Sequence, residues 1–317
     1  MKLLVSGYGK NDKSVQLVEI DHQMKYQVLS KLGLSSPSFF VEGDDYFYTF
    51  EQKSSVLLHI FQVKENKLFV VDSLALDGDD LTHLAYSKKH KMLIGCSYKN
   101  GSFFSVKILD GLFSRQIQYG TQVEEQKLSR AHCVTINLSE TEVAIVNISL
   151  DEIFFFSFVE DKLLFTKQIS VPIGSGPRHG VYLNNQVFYI ITEYSNEIIV
   201  VDLIKNIVIQ TISTLPHFED KSFGATLMIS NDKKHLYASN RGEDSIAIFE
   251  IQDNNHLSYI KTIGCGGLHP RHMTLSKDNK LIFSCNLHSN QVSVIDIKEE
   301  KVILEIPFEV PSCVFEI

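Results

Sequence analysis

An all-β, seven-bladed β-propeller is the fold predicted by this 317-residue sequence, and three observations carry the prediction. One pattern of short apolar strands separated by polar turns recurs seven times, the recurrences are evenly spaced, and the two chain ends supply complementary parts of one unit. Aligning the residue that opens the first strand of each unit gives Phe39, His83, His132, His179, Ala225, His272 and Cys313. Their spacings are 44, 49, 47, 46, 47 and 41, and 43 when counted through the termini. Periods of about 40 to 50 residues built only from strands belong to propeller blades, four strands each around a central channel.

The units follow in order. SPSFFV and FYTFEQ open the first, LTHLAYS and GCSYKNG the second, SRAHCVTI and AIVNIS the third. The clearest copies start at Gly176 (GPRHGVYLNNQVFYIITEYSNEIIVVDL), Ser222 (SFGATLMISNDKKHLYASNRGEDSIAIFEI) and His269 (HPRHMTLSKDNKLIFSCNLHSNQVSVIDI). Each has an apolar strand, a polar turn, a second apolar strand ending in a polar cluster, a tight turn and a third strand of alternating polarity. The seventh is split: PSCVFEI at the C-terminus supplies its first strand and MKLLVSGYGKNDKSVQLVEI at the N-terminus continues it. Residues 1–317 are therefore expected to form a single domain closed by its own termini.

With 30 basic and 38 acidic residues, the net charge of −8 argues against a nucleic-acid or anionic-membrane surface. The apolar run at the N-terminus breaks at Gly7, too short for a signal-peptide core, and no window approaches the roughly 18 apolar residues of a membrane span. The expected location is the cytoplasm. Cys96, Cys133, Cys265, Cys285 and Cys313 are odd in number and form no CxxC pair, so buried free thiols are expected rather than a metal site. No cofactor motif is present, and the acidic tract at Asp77, Asp79 and Asp80 has the composition of a solvated turn.

In a propeller, the loops entering and leaving each innermost strand converge on the axis, so polar residues some 45 positions apart build one site. Those loops carry His83, Arg130 and His132, Arg178 and His179, and Arg271 with His272. The ends of the second strands add Glu51, Tyr98, Asn147, Glu193, Asn240 with Arg241, and Asn286 with His288. Most such residues cap turns, which is the role expected of Asn240 and Asn286. Arg178, Arg241 and Arg271 are different: three guanidinium forks near one axis suit carboxylate or phosphate oxygens, so a small anionic substrate is the expected partner. Glu193, after the apolar run QVFYII, is expected to be either ion-paired or raised in pKa, and with His132 it offers an acid and a base.

At these residues the chain resembles the seven-bladed propeller lactonases, the family of propeller-type 6-phosphogluconolactonase that also includes carboxy-cis,cis-muconate cyclase. The matching pieces are VSGYGK, SPSFFV, HLAY with SYKNGS, AHCVTI, GSGPRHGVYL, TEYSNEIIVVDL, LYASNRGEDSIAIFEI and HPRHM. The resemblance implies a catalytic set of His132, Arg178, Glu193 and Arg241, with His179, Arg271, His272, Tyr98 and His288 as substrate contacts. It implies hydrolysis of 6-phospho-D-glucono-1,5-lactone, in the pentose phosphate pathway, without metal or cofactor. Glu193 would take the proton of the attacking water, and His132 would protonate or hold the leaving ring oxygen. A muconate-type cyclase and a non-catalytic binding platform are the alternatives. The family's Pro-Asp after the AHCVTI strand reads Val146-Asn147 here, and most of its Ser-Pro-Asp-Gly turns are replaced by forms such as SNDKK, SKDNK and LNNQ.

Overall fold

The computed structural model describes residues 1–9, 14–52, 55–78, 80–121 and 128–317; Lys10 of VSGYGK and Asp79 of the acidic tract lie outside them. The described residues form seven four-stranded antiparallel sheets, the blades. The innermost strands of blades 1 to 7 are Phe40–Glu42, Leu81–Ser87, Ala131–Ile136, Pro177–Tyr182, Phe223–Ile229, Pro270–Leu275 and Pro311–Glu316. Blade 7 joins the chain ends, because Pro311–Glu316 pairs with Lys2–Gly7, which continues into Val15–Ile20 and Tyr26–Leu32. The seam between blades 7 and 1 is closed by Ser312 Oγ, which donates to Ser38 O at 2.7 Å. No helix is long and apolar enough to cross a membrane among the described residues.

Burial explains the hydrophobic pattern. Second strands such as Met92–Ser97 and Val187–Thr192 are buried throughout, since each sheet packs face to face with a neighbour on both sides. The outermost strands, such as Lys301–Pro307, face water for most of their length. All five cysteines are buried free thiols. The substituted turns keep the backbone path through local side-chain bonds. Ser230 and Ser276 accept the backbone N–H groups of His235 and Leu281 at 2.9 Å, and Lys233 and Asn279 take the left-handed positions with φ of 58° and 59°.

One device recurs on the innermost strands and positions the site. In blade 2 Leu81 pairs with Ser97 and His83 with Cys96, so Thr82 is an extra residue in the ladder. The same slip leaves His132 unpaired in blade 3, Arg178 in blade 4, Ala225 and Thr226 in blade 5, Arg271 in blade 6 and Ser312 in blade 7. A β-bulge re-aims its extra side chain, and here Thr82, His132, Arg178, Thr226, Arg271 and Ser312 all line one axial cavity. Blade 1, whose innermost strand has only three residues, contributes Ser38 and Phe39 instead.

Candidate active site

Glu193 is the fixed point of the site. It follows the buried strand Val187–Thr192, and its backbone is held on both sides: its N–H donates to Gly176 O at 2.6 Å and its carbonyl accepts from Gly224 N–H at 3.2 Å. Gly176 has a φ of 65°, and a Cβ there would collide with the Tyr194 ring, which explains the glycine of GSGPRH. The Glu193 carboxylate meets Arg178 Nε at 2.9 Å and Arg241 Nη2 at 2.8 Å, both on Oε2. The Arg178 Nε contact is an ion pair outside hydrogen-bond alignment, since that N–H has no aligned acceptor. Arg178 Nη1 donates to Ala225 O, and Arg241 Nη2 also donates to Gly224 O at 2.8 Å. Blades 4 and 5 are thus tied together at the axis.

The electrostatics follow from this geometry. Burial alone would raise the pKa of Glu193, but Arg178 and Arg241 outweigh it and hold the carboxyl below its usual range. Of the two outcomes expected for Glu193, the ion-paired one is present. Burial, then Arg241 and Arg271, push Arg178 down to about 9, so it remains charged at neutral pH. Burial, then Arg178, Arg271 and Arg241, drive His132 well below the ordinary imidazole value, so its ring is neutral.

Two adjoining cavities share Tyr8, Thr82, His132 and Arg271. The first, about 160 Å³, adds Glu193, Arg241, Tyr98, Gln52 and Asp80. The second, about 30 Å³, adds Arg178, His83, His179 and His272. Arg271 stacks on the Tyr8 ring with its guanidinium carbon 5.0 Å from the centroid and makes no hydrogen bond or ion pair among the described residues. Tyr98 meets His132 edge-on at 5.9 Å and carries the Arg130 guanidinium over its ring at 5.1 Å. Larger clefts of about 440 and 560 Å³ lie against outer strands, lined by exposed charges such as Asp161, Asp44 and Lys91, and hold no comparable cluster among the described residues.

Of the residues expected from sequence, the structure gathers His132, Arg178, Glu193, Arg241, Arg271, Tyr98, His179 and His272 around these two cavities. His288 is not on either lining; it is exposed and stacks on His269 at 4.0 Å. Asn240 and Asn286 are buried turn ties, to Thr214 and to Cys265 O and Ser293 respectively. Sequence reasoning missed Tyr8, Gln52 and Thr82 as lining residues. It set Asp80 aside as a solvated turn residue, whereas Asp80 takes a φ of 59° and borders the larger cavity. The available signal was position: Asp80 immediately precedes the innermost strand Leu81–Ser87, as Arg130 precedes Ala131–Ile136 in the next blade.

The fold agrees with what known proteins show. The chain is similar to a 6-phosphogluconolactonase of Bacillus subtilis, 21% identical over 297 residues that cover 85% of each chain. It superposes on a Lactobacillus plantarum protein with a TM-score of 0.89 at 18% identity, covering 99% of both chains. It also superposes on the periplasmic gluconolactonase of Pseudomonas aeruginosa with a TM-score of 0.86 at 19% identity, covering 99% of this chain and 98% of that one. Residues 2–314 match the family described as "Lactonase, 7-bladed beta-propeller", and with that match the chain belongs to the seven-bladed β-propeller lactonases.

Proposed function

We propose that the protein hydrolyses a sugar lactone bearing an anionic group, with 6-phospho-D-glucono-1,5-lactone as its substrate. The carrying observation is Arg271: two of the three axial guanidiniums are committed to Glu193, whereas this one borders both cavities without a carboxylate partner among the described residues. A fork of this kind matches phosphate oxygens in pairs. Arg241, fixed by Glu193 and Gly224, supports the oxyanion that develops on the lactone carbonyl, because a donor already held in place needs no reorganisation during the reaction.

Proton transfer falls to His132 in this reading. Two ion pairs weaken Glu193 as a base, and its charge is used to hold Arg178 and Arg241. His132 is neutral, and its Nδ1 is buried without a partner. Water attacks the carbonyl carbon while its proton passes to the imidazole; the bond from that carbon to the ring oxygen then breaks, and the proton moves from His132 to the ring oxygen. The substrate's phosphate supplies the negative charge that offsets the transient imidazolium amid three arginines.

The test compares the phosphorylated lactone, unphosphorylated gluconolactone and carboxymuconate, with spontaneous hydrolysis subtracted. The expected result is a higher kcat/KM for the phosphorylated lactone. No rate above background on either sugar lactone overturns the reading, and lactone formation from carboxymuconate would replace it with the cyclase.

A further inference from the structure

The smaller cavity shares His132 and Arg271 with the larger one, and the rest of its lining has an unusual chemistry. The ligating atoms of His83, Cys133 and His179 lie within 4.8 Å of one another, a grouping that on distance alone suggests a metal ion. Their protonation argues the opposite. His179 Nδ1 accepts the Leu227 backbone N–H at 3.2 Å, and a neutral imidazole that accepts at Nδ1 carries its proton on Nε2. His272 repeats the arrangement, accepting from Val314 N–H at 3.4 Å. Cys133 remains a thiol, turned toward Gly180 O at 3.9 Å, with burial pushing it up to about 12. Arg178 and Arg271 share the cavity lining. It therefore presents N–H groups and positive charge, which repel a cation and attract an anion.

Three further observations point to a small anion. Both ring nitrogens of His83 are buried and make no aligned hydrogen bond, the nearby Val134 and Leu84 backbones being out of alignment with them, although one nitrogen must carry a proton in the neutral ring. That ring is held flat against Phe39 at a centroid distance of 4.0 Å, so it cannot turn freely toward another acceptor. The Nε2 groups of His179 and His272 likewise have no protein acceptor among the described residues. The volume, about 30 Å³, is roughly twice the 10–15 Å³ that one water requires, which admits a monatomic ion but not a tetrahedral oxyanion or a sugar.

We propose that this cavity is a halide site, in which one chloride ion is held by N–H donors of His83, His179 and His272 and by the charges of Arg178 and Arg271. The chloride neutralises guanidinium charge left over at the axis and gives three otherwise unmet imidazole donors an acceptor. It bridges blades 2, 4 and 6, so binding couples to stability of the ring.

The test needs no substrate and is independent of the hydrolase reading. Melting of the full-length protein is followed in phosphate-free buffer as sodium chloride or bromide replaces sodium methanesulfonate at constant ionic strength. Tm should rise saturably with either halide. Bromine-edge anomalous data from crystals grown in sodium bromide should show a peak in the cavity, within hydrogen-bond reach of the three histidines. His83→Phe retains an aromatic ring against Phe39 but removes one donor, and should raise the half-saturating halide concentration by about tenfold. An empty cavity in the bromide map overturns the proposal, as does a Tm independent of anion identity or an unchanged halide response in His83→Phe. Stoichiometric zinc binding that protects Cys133 from a thiol reagent would overturn it in favour of a cation site. Should the variant not fold, the wild-type bromide map decides.

Discussion

Arg178 and Arg241, from neighbouring blades, converge on a single oxygen of Glu193, at 2.9 and 2.8 Å. The three groups form a unit in which the carboxylate separates two buried positive charges. Its removal should therefore affect the scaffold as well as the reaction.

Glu193→Gln keeps the shape but leaves Arg178 and Arg241 facing each other without a counter-charge. Losing one partner of a buried ion pair costs about 3–5 kcal/mol. With the Glu193 side chain 18% exposed, the lower end of that range is expected. Denaturant unfolding should show the loss, and KM for the phosphorylated lactone should rise as the arginines shift. A variant as stable as the parent would show that the two contacts carry little energy.

His132→Asn should behave differently. It removes the proton acceptor from a bulge position that makes no salt bridge, so turnover should fall by about 10²-fold or more with little change in melting. Because burial and three arginines hold His132 far below the ordinary imidazole value, kcat/KM of the parent should be flat from neutral pH down past 6.5. An ascending limb centred near 6.5 would mean that another group carries the proton.

Acid should destabilise the ring before its carboxylates titrate. Burial is the main cause that holds His83 and His272 down to about 3 and His132 and His179 well below 6.5. The unfolded chain binds protons at these histidines below about pH 6.5 while the folded chain does not, so their contribution is complete above that pH and is lost below it. Each adds up to about 1.4 kcal/mol per pH unit to the slope. Denaturant midpoints measured between pH 7.5 and 5 should fall steeply, and replacing His83 by Phe should reduce the slope.

The ring and its seam were legible because they depend on period and burial: a unit of apolar strands recurs every 41 to 49 residues, and the split unit shows where the ends meet. The arginines and Glu193 were legible because charge at the end of an apolar strand requires a partner. Bulges were not. Nothing in SRAHCVTI or HPRHM marks His132 or Arg271 as the residue that slips out of the ladder, since slip depends on how two strands twist together. For the same reason Thr82 was overlooked beside His83, and Tyr8 beyond the end of Lys2–Gly7. His288 looked like a site residue because it follows Asn286, yet two further positions along the turn carry it to the rim.

The seam provides the most direct test of the fold itself. Pro311–Glu316 is the innermost strand of blade 7, and deleting residues 311–317 strips Lys2–Gly7 of one of its two ladder partners, leaving only Val15–Ile20. The deletion also removes Ser312 Oγ from Ser38 O, Cys313 from the first blade's core and the Val314 N–H from His272. An exposed strand edge in an apolar groove pairs with other chains, so the truncated protein should be insoluble or melt far below the parent. The milder Ser312→Ala change removes one buried hydrogen bond across the seam and should cost about 1 kcal/mol without loss of solubility. A truncation that stays soluble and melts like the parent would mean that the ring does not depend on its terminal strand.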